Sequence, residues 1–380
     1  MRLSDRAREL PESGIRKFFE LAEARDDVIS LGVGEPDFSA PWAARTAAID
    51  SLERGKTSYT ANRGMAALRE RIADHHERYD QSYDPTEEAI VTTGASEAVD
   101  LAFRALVDPG DTVALHEPTY ISYGPGIELA GGQRLSVPTR AADDFALTRE
   151  ALESSGAADA DLLVCCYPNN PTGATMTDAE LAEVAAFCRE NDLRVVADEI
   201  YAALTYGGDH TSIATQPGMR ERTVVVNGFS KAYAMTGLRL GYALGPTDAI
   251  DAMNRIHQYT MLSAPTTAQY AACEALDRCG DELREMVDEY DRRRRLVVSR
   301  FNEMGLDTSE PGGAFYAFPE CGGDDEAFAE ALLEAQGVAV VPGSVFGAGG
   351  AGHLRVSYAT SMRELKEATD RIATFVEARS

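Results

Sequence analysis

The stretch TVVVNGFSKAYAMTGLRLGYALG, Thr223 to Gly245, decides the fold. Two short apolar runs, TVVVNG and LRLGYALG, flank a polar turn that carries Ser230, Lys231 and Arg239. Runs of this kind, rich in β-branched residues and bounded by glycine, read as strands. The same texture recurs in EAIVTTG from Glu88, DTVALHEP from Asp111, DLLVCCYPN from Asp161 and LRVVADE from Leu193. Several are separated by segments of helical period. In ASEAVDLAFRALVD, Ala98, Leu101, Ala102, Ala105 and Leu106 form an apolar stripe that Pro109-Gly110 ends. In TDAELAEVAAFCREND, Thr177 or Asp178 supplies the N-cap with Glu180 close by. Strands alternating with helices predict an α/β domain built on a mostly parallel sheet covered on both faces.

After about Asp281 the pattern changes. EMVDEYDRRRRLVVSRFNEMG reads as one long polar-faced helix, and GGAFYAF, GVAVVPGSVFG and HLRVSYA follow it as short strands. The expectation is a large domain over residues 42–280 and a smaller α+β domain from 281–380, with residues 1–41 packed on it. FGAGGAGH is read as a flexible turn.

Composition bounds the function. A 380-residue chain with 44% hydrophobic content buries a sizeable core, and 62 acidic against 36 basic residues give a net charge of −26. That balance opposes nucleic acid and anionic membranes as partners, and low lysine with abundant acid suggests a salt-loving cytosol. The first residues, MRLSDRARELPESG, are charged and resemble no signal peptide. No segment reaches the ~18 apolar residues of a membrane span, so the expected location is cytoplasmic. The six cysteines and six histidines show neither disulfide-framework nor metal-ligand spacing, so no metal is expected.

In open α/β sheets the ligand crevice lies beyond the carboxyl ends of the strands, and there the unusual residues collect. Gly94-Ala95-Ser96 opens a helix, whose N-terminus suits a phosphate, although an ordinary N-cap is the plainer alternative. Ser230 and Arg239 would complete such a cup. Asp198 ends an apolar run, where a carboxylate needs a cation, either a protonated ring nitrogen or a nearby arginine. Tyr201 and Asn170 are placed to donate to a phenolate-like oxygen, and Tyr120 either stacks on a flat ring or is a core aromatic. The basic residues include only four lysines, at 17, 56, 231 and 366. Lysine alone among strong bases loses its proton near neutral pH when desolvated and attacks a carbonyl. Phosphate cup, carboxylate, ring-oxygen donors and amine together form an inventory for pyridoxal phosphate.

SKAYAMTGLRLGY, PNNPTG, ADEIYAAL, LGVGEPDF, SYTANRG and HLRVSYA resemble the motif set of the class I/II aminotransferases of PLP fold type I. More narrowly, the chain is similar to archaeal and bacterial aspartate and aromatic aminotransferases over nearly its whole length. The resemblance implies that Lys231 joins the cofactor aldehyde and later moves the proton at the substrate Cα. It implies that Asp198 keeps the ring nitrogen protonated, that Tyr201 and Asn170 bind the ring hydroxyl and that Tyr120 stacks on the ring. Gly94, Ala95, Ser96, Ser230 and Arg239 would hold the phosphate, joined by Tyr59 from the second subunit of a homodimer. Arg355 would clamp the substrate α-carboxylate, assisted by Gly34 and Asn170. Without the resemblance, Arg355 reads as a surface arginine on a strand.

The expected reaction moves the amino group of aspartate or an aromatic amino acid to 2-oxoglutarate. The alternative on the same scaffold is a C–S β-lyase. A PLP-sensing transcription regulator is disfavoured, because LGVGEPDF begins at Leu31 and leaves no room for a DNA-binding module before it. In SGIRKFFELA, Ile15 and Phe18 offer an apolar wall and Lys17 a partner for a distal carboxylate, against the plainer reading of a packed amphipathic helix.

Overall fold

Alternate residues of the run Leu162–Cys166 bury in opposite directions: Leu162, Val164 and Cys166 join one apolar cluster, Leu163 and Cys165 the other. A strand apolar on both faces has to be covered on both. In the computed structural model of the chain, which describes residues 27–379 and, before them, residues 1, 3, 4, 7, 8, 10, 11 and 14, that run is a central strand.

Twelve strands occur among the described residues: β1 (Ile29–Ser30), β2 (Ala89–Thr92), β3 (Thr112–Glu117), β4 (Gln133–Pro138), β5 (Leu162–Cys166), β6 (Arg194–Asp198), β7 (Thr223–Gly228), β8 (Gly241–Leu244), β9 (Tyr316–Ala317), β10 (Val338–Ala339), β11 (Val341–Pro342) and β12 (Leu354–Ser357). Seven of them form one sheet in the order β2-β8-β7-β6-β5-β3-β4. β8 runs antiparallel to both its neighbours and the remaining pairings are parallel. The six runs read as strands lie side by side, and the carboxyl ends of five of them, β2, β3, β5, β6 and β7, share one edge with the amino end of β8. β4 was not foreseen: its Gln133 and Arg134 are exposed at the sheet's border and break the apolar pattern.

Helices cover both faces. Ala95–Leu106 and Thr247–Thr260 pack Ala98, Leu101, Ala102, Ile250 and Met253 onto one side. Ala66–His76, Asp178–Glu190 and Thr266–Arg278 pack Leu68, Ile72, Leu181, Val184 and Ala271 onto the other. Thr177 is the N-cap of Asp178–Glu190 and closes a capping box with Glu180, an arrangement worth about 1 kcal/mol.

The long helix is Gly280–Glu303, which buries Leu283, Met286, Tyr290, Arg293, Val297 and Phe301 along one face. β12 lies between β11 and β9 in an antiparallel sheet, and β1 pairs with β10 in parallel. Ser357 N–H donates to Leu31 O, tying the residues before Pro41 to this C-terminal unit. The glycine-rich FGAGGAGH packs closely. A Cβ on Gly349 would lie 2.4 Å from Glu117 O and one on Gly350 2.1 Å from Gly343 O, so here glycine answers a demand for space. Among the described residues no helix is long and apolar enough to cross a membrane.

Candidate active site

The carboxyl edge of the seven-stranded sheet opens into a cavity of about 940 Å³. Its lining includes Gly34, Ala95, Ser96, Tyr120, Asn170, Asp198, Tyr201, Ser230, Lys231, Arg239 and Arg355, so eleven predicted residues meet in one place. Gly94 stands just behind them. Tyr59 is 79% exposed and is not among the residues that line the cavity. Ile15, Lys17 and Phe18 lie outside the described residues.

The turn at Gly94, where a phosphate is expected, is built by close backbone approach. The chain leaves β2 through Gly94, whose φ of 79° is a conformation that favours glycine, and starts a helix at Ala95. β8 comes so near that a Cβ on Gly241 would stand 2.3 Å from Ala95 N. The Arg239 guanidinium lies against Gly94, where a Cβ would stand 2.7 Å from its Nη2. Arg239 itself takes a left-handed φ of 54° and donates from Nη1 to Thr236 O at 2.8 Å. Helix N–H groups, guanidinium and the nearby Ser230 converge as a dianion requires.

Lys231 sits on the one-turn helix Phe229–Ala232 that follows β7. Its Nζ donates to Gly34 O at 2.5 Å and lies 5.8 Å from the Tyr201 ring centroid. Burial lowers its pKa to about 8, with Glu35 opposing the shift and the Arg355 charge adding to it. A lysine in this state yields a neutral amine within the physiological range.

Asp198 is buried at the end of β6. Tyr123 O–H donates to its Oδ2 at 2.6 Å and Ile200 N–H to its Oδ1 at 3.1 Å. Burial raises its pKa to about 6, against the lowering effect of those two hydrogen bonds. No arginine forms an ion pair with it among the described residues, so the salt-bridge alternative fails, and a cationic ring nitrogen is the partner that suits it.

Arg355 is buried on β12, contrary to the surface position that the bare sequence suggests. Nη1 donates to Asn170 Oδ1 at 3.1 Å and Nη2 to Gly32 O at 2.6 Å, while the buried Nε has no acceptor. The guanidinium lies between the rings of Tyr316, 4.8 Å away, and Phe346, 4.9 Å away. No carboxylate pairs with it among the described residues. A buried guanidinium in that condition is a receptor for a carboxylate. Asn170 is held by the PNNPTG turn, where Asn169 Nδ2 donates to Pro118 O and to Thr172 Oγ1, both at 3.0 Å.

Three contributors were not foreseen. Tyr123 holds Asp198, and its only signal was its place three residues after Tyr120. Tyr316 meets Tyr201 hydroxyl to hydroxyl at 2.9 Å. Gly241 admits the turn at Ala95. Tyr120 is half-buried with its ring edge-on to Tyr123 at 5.5 Å. The residues present fit pyridoxal phosphate: a dianion cup, a buried unpaired carboxylate, an amine of lowered pKa and an unpaired guanidinium.

Comparison with known proteins agrees. The family model "Aminotransferase class I and II" matches residues 26–372. The chain is 50% identical to "Putative aminotransferase YugH" of Bacillus subtilis, with 98% of each chain covered. It is 42% identical to the "Aspartate aminotransferase" of Pyrococcus abyssi, with 98% of this chain and 97% of that one covered. Among solved structures, the aromatic aminotransferase from Pyrococcus horikoshii superposes with a TM-score of 0.91 at 41% identity, covering 95% of this chain and 99% of that one. The chain therefore belongs to the class I and II aminotransferases and is an enzyme of PLP fold type I with pyridoxal phosphate as its cofactor.

Proposed function

We propose that this aminotransferase takes its amino group from aspartate or an aromatic amino acid and delivers it to 2-oxoglutarate, working as a cytosolic homodimer in a salt-rich medium. The observation that carries the reading is the pairing of an amine of lowered pKa, Lys231, with a buried guanidinium free of any carboxylate partner among the described residues, Arg355. The bound cofactor supplies an electron sink for the charge left at the substrate Cα.

Each side chain then has one task. Arg355, with Asn170 and the Gly34 backbone, fixes the α-carboxylate and so orients the Cα–H bond. Lys231 Nζ would take that proton from Cα and give it back on the cofactor side of the nitrogen that is transferred. Asp198 holds a proton on the ring nitrogen, Tyr201 and Asn170 donate to the ring oxygen, and Tyr120 covers the ring. Gly94, Ala95, Ser96, Ser230 and Arg239 hold the phosphate.

The surface supports pairing of two chains. Tyr59, Tyr259, Met261 and Trp42 are 79%, 86%, 52% and 70% exposed. Asn62 Nδ2 donates to Leu262 O and Thr266 Oγ1 to Ser58 O, which joins the Tyr59 and Met261 segments into one apolar region. In such a dimer Tyr59 reaches the neighbour's phosphate. Residues 42–280 act as the large domain, and 1–41 with 281–380 as the small one that carries Arg355.

A panel of amino donors with 2-oxoglutarate, ranked by kcat/KM, tests the proposal. Glutamate should form from aspartate or from phenylalanine and tyrosine. Failure of all of them, or pyruvate and ammonia released from cystathionine with no oxo acid added, would overturn it. The net charge of −26 predicts an activity optimum at raised salt, where self-repulsion is screened.

A further inference from the structure

Tyr316 has no role in the scheme above, yet it touches three groups that do. Its hydroxyl lies 2.9 Å from that of Tyr201, its ring face supports Arg355 at 4.8 Å, and the same hydroxyl would stand 3.1 Å from a Cβ placed on Gly34. Both phenols are buried, and burial raises both pKa values, so each keeps its single proton at neutral pH.

Two facing phenols make one hydrogen bond, and its direction has consequences. Both tyrosines line the cavity, and each phenol has a single proton to give. Once the Tyr201 proton is given to the ring oxygen, the 2.9 Å contact between the two hydroxyls has to be donated by Tyr316. We propose that Tyr316 is a positioning residue: its O–H donates to Tyr201 and thereby points the Tyr201 proton at the ring oxygen of the cofactor. This rests on the assignment of Tyr201 to that oxygen. Serial hydrogen bonds also polarise one another, so the outer donor strengthens the inner one.

The test is the visible absorbance of the pyridoxal-phosphate-loaded protein titrated against pH, for the parent, Tyr316→Phe, Tyr201→Phe and the double variant. Weakening the donor leaves more negative charge on the ring oxygen, so a neighbouring proton is held more tightly. Tyr316→Phe should raise the midpoint by roughly 0.3–1 pH unit, the amount one neutral hydrogen bond commands. It should add nothing in the Tyr201→Phe background. KM for amino donors should stay near the parent value, since the ring under Arg355 remains. A shift in Tyr201→Phe with none in Tyr316→Phe, or additive shifts in the double variant, overturns this proposal alone. No shift in either single variant overturns the Tyr201 assignment and the proposal with it.

Discussion

Tyr123 donates to Asp198 across 2.6 Å, and both side chains are buried. The phenol reaches the carboxylate from the helix that follows Tyr120, so one short segment provides both the ring above the cavity and the support of its deepest acid.

Tyr123→Phe removes the shorter of the two hydrogen bonds that stabilise the Asp198 carboxylate. Pyridoxal-phosphate affinity should fall by about 10-fold or more, in keeping with one hydrogen bond to a charged group. Fluorescence titration of the cofactor-free protein gives the dissociation constant, and an unaltered value would show that the tyrosine is only packing.

Asp198→Ala should retain some cofactor and lose turnover by at least about 10²–10³-fold, because the charge formed at the substrate then has no stabilised sink. Single-turnover kinetics measure this directly. Near-parental rates would make the assignment of Asp198 wrong.

In the cofactor-free protein Asp198 has a pKa of about 6 against an ordinary 3.8. A carboxyl that holds its proton more tightly in the folded chain favours the fold at acid pH, and that contribution is lost as pH rises through about 6. Asp198→Asn should therefore be more stable than the parent at pH 8 by ~1–3 kcal/mol. The gap should close by about pH 4. Urea denaturation at both pH values checks it, and a less stable variant at pH 8 contradicts it.

The proposed capture of pyridoxal phosphate by Lys231 requires its neutral amine, so the rate should climb with pH through a midpoint near 8. Glu35 acts to keep Lys231 protonated, so Glu35→Gln should move the midpoint down. Stopped-flow absorbance records both. A midpoint near the ordinary lysine value of 10.5 contradicts a desolvated amine.

Gly241→Ala sets a methyl group 2.3 Å from Ala95 N, so the turn at Gly94 must shift. Such overpacking costs about 1–3 kcal/mol, and the phosphate cup should open with it. Calorimetry and the pyridoxal-phosphate dissociation constant should worsen together. A loss of stability with unchanged affinity would separate the turn from the site.

Much of this was legible in the sequence because strand ends concentrate chemistry. Lys231, Asp198, Asn170 and Ser96 all follow apolar runs, and the uninterrupted apolar run of β5 and helical stripes such as Ala98–Leu101–Ala102 carry the architecture. Tyr316 was hidden because it is one aromatic in the run GGAFYAF, and only the tertiary fold brings it to Tyr201. Arg355 was ambiguous for a related reason: a charged residue on a short strand looks exposed until other elements bury it. β4 escaped because a border strand keeps one polar side. The packing role of the glycines in FGAGGAGH depends on Glu117, which lies far away in the chain.

The position of β8 between β2 and β7 also bears on how the protein is made. The helix end at Ala95 leaves the ribosome early, but Gly241 and Arg239, which complete its surroundings, belong to the second half of the chain. With the phosphate held there, as proposed, a nascent polypeptide has nowhere to lodge vitamin B6 until most of the sheet has been synthesised and zipped together. On that reading the cofactor arrives late, and long-range closure of this kind is intrinsically slow.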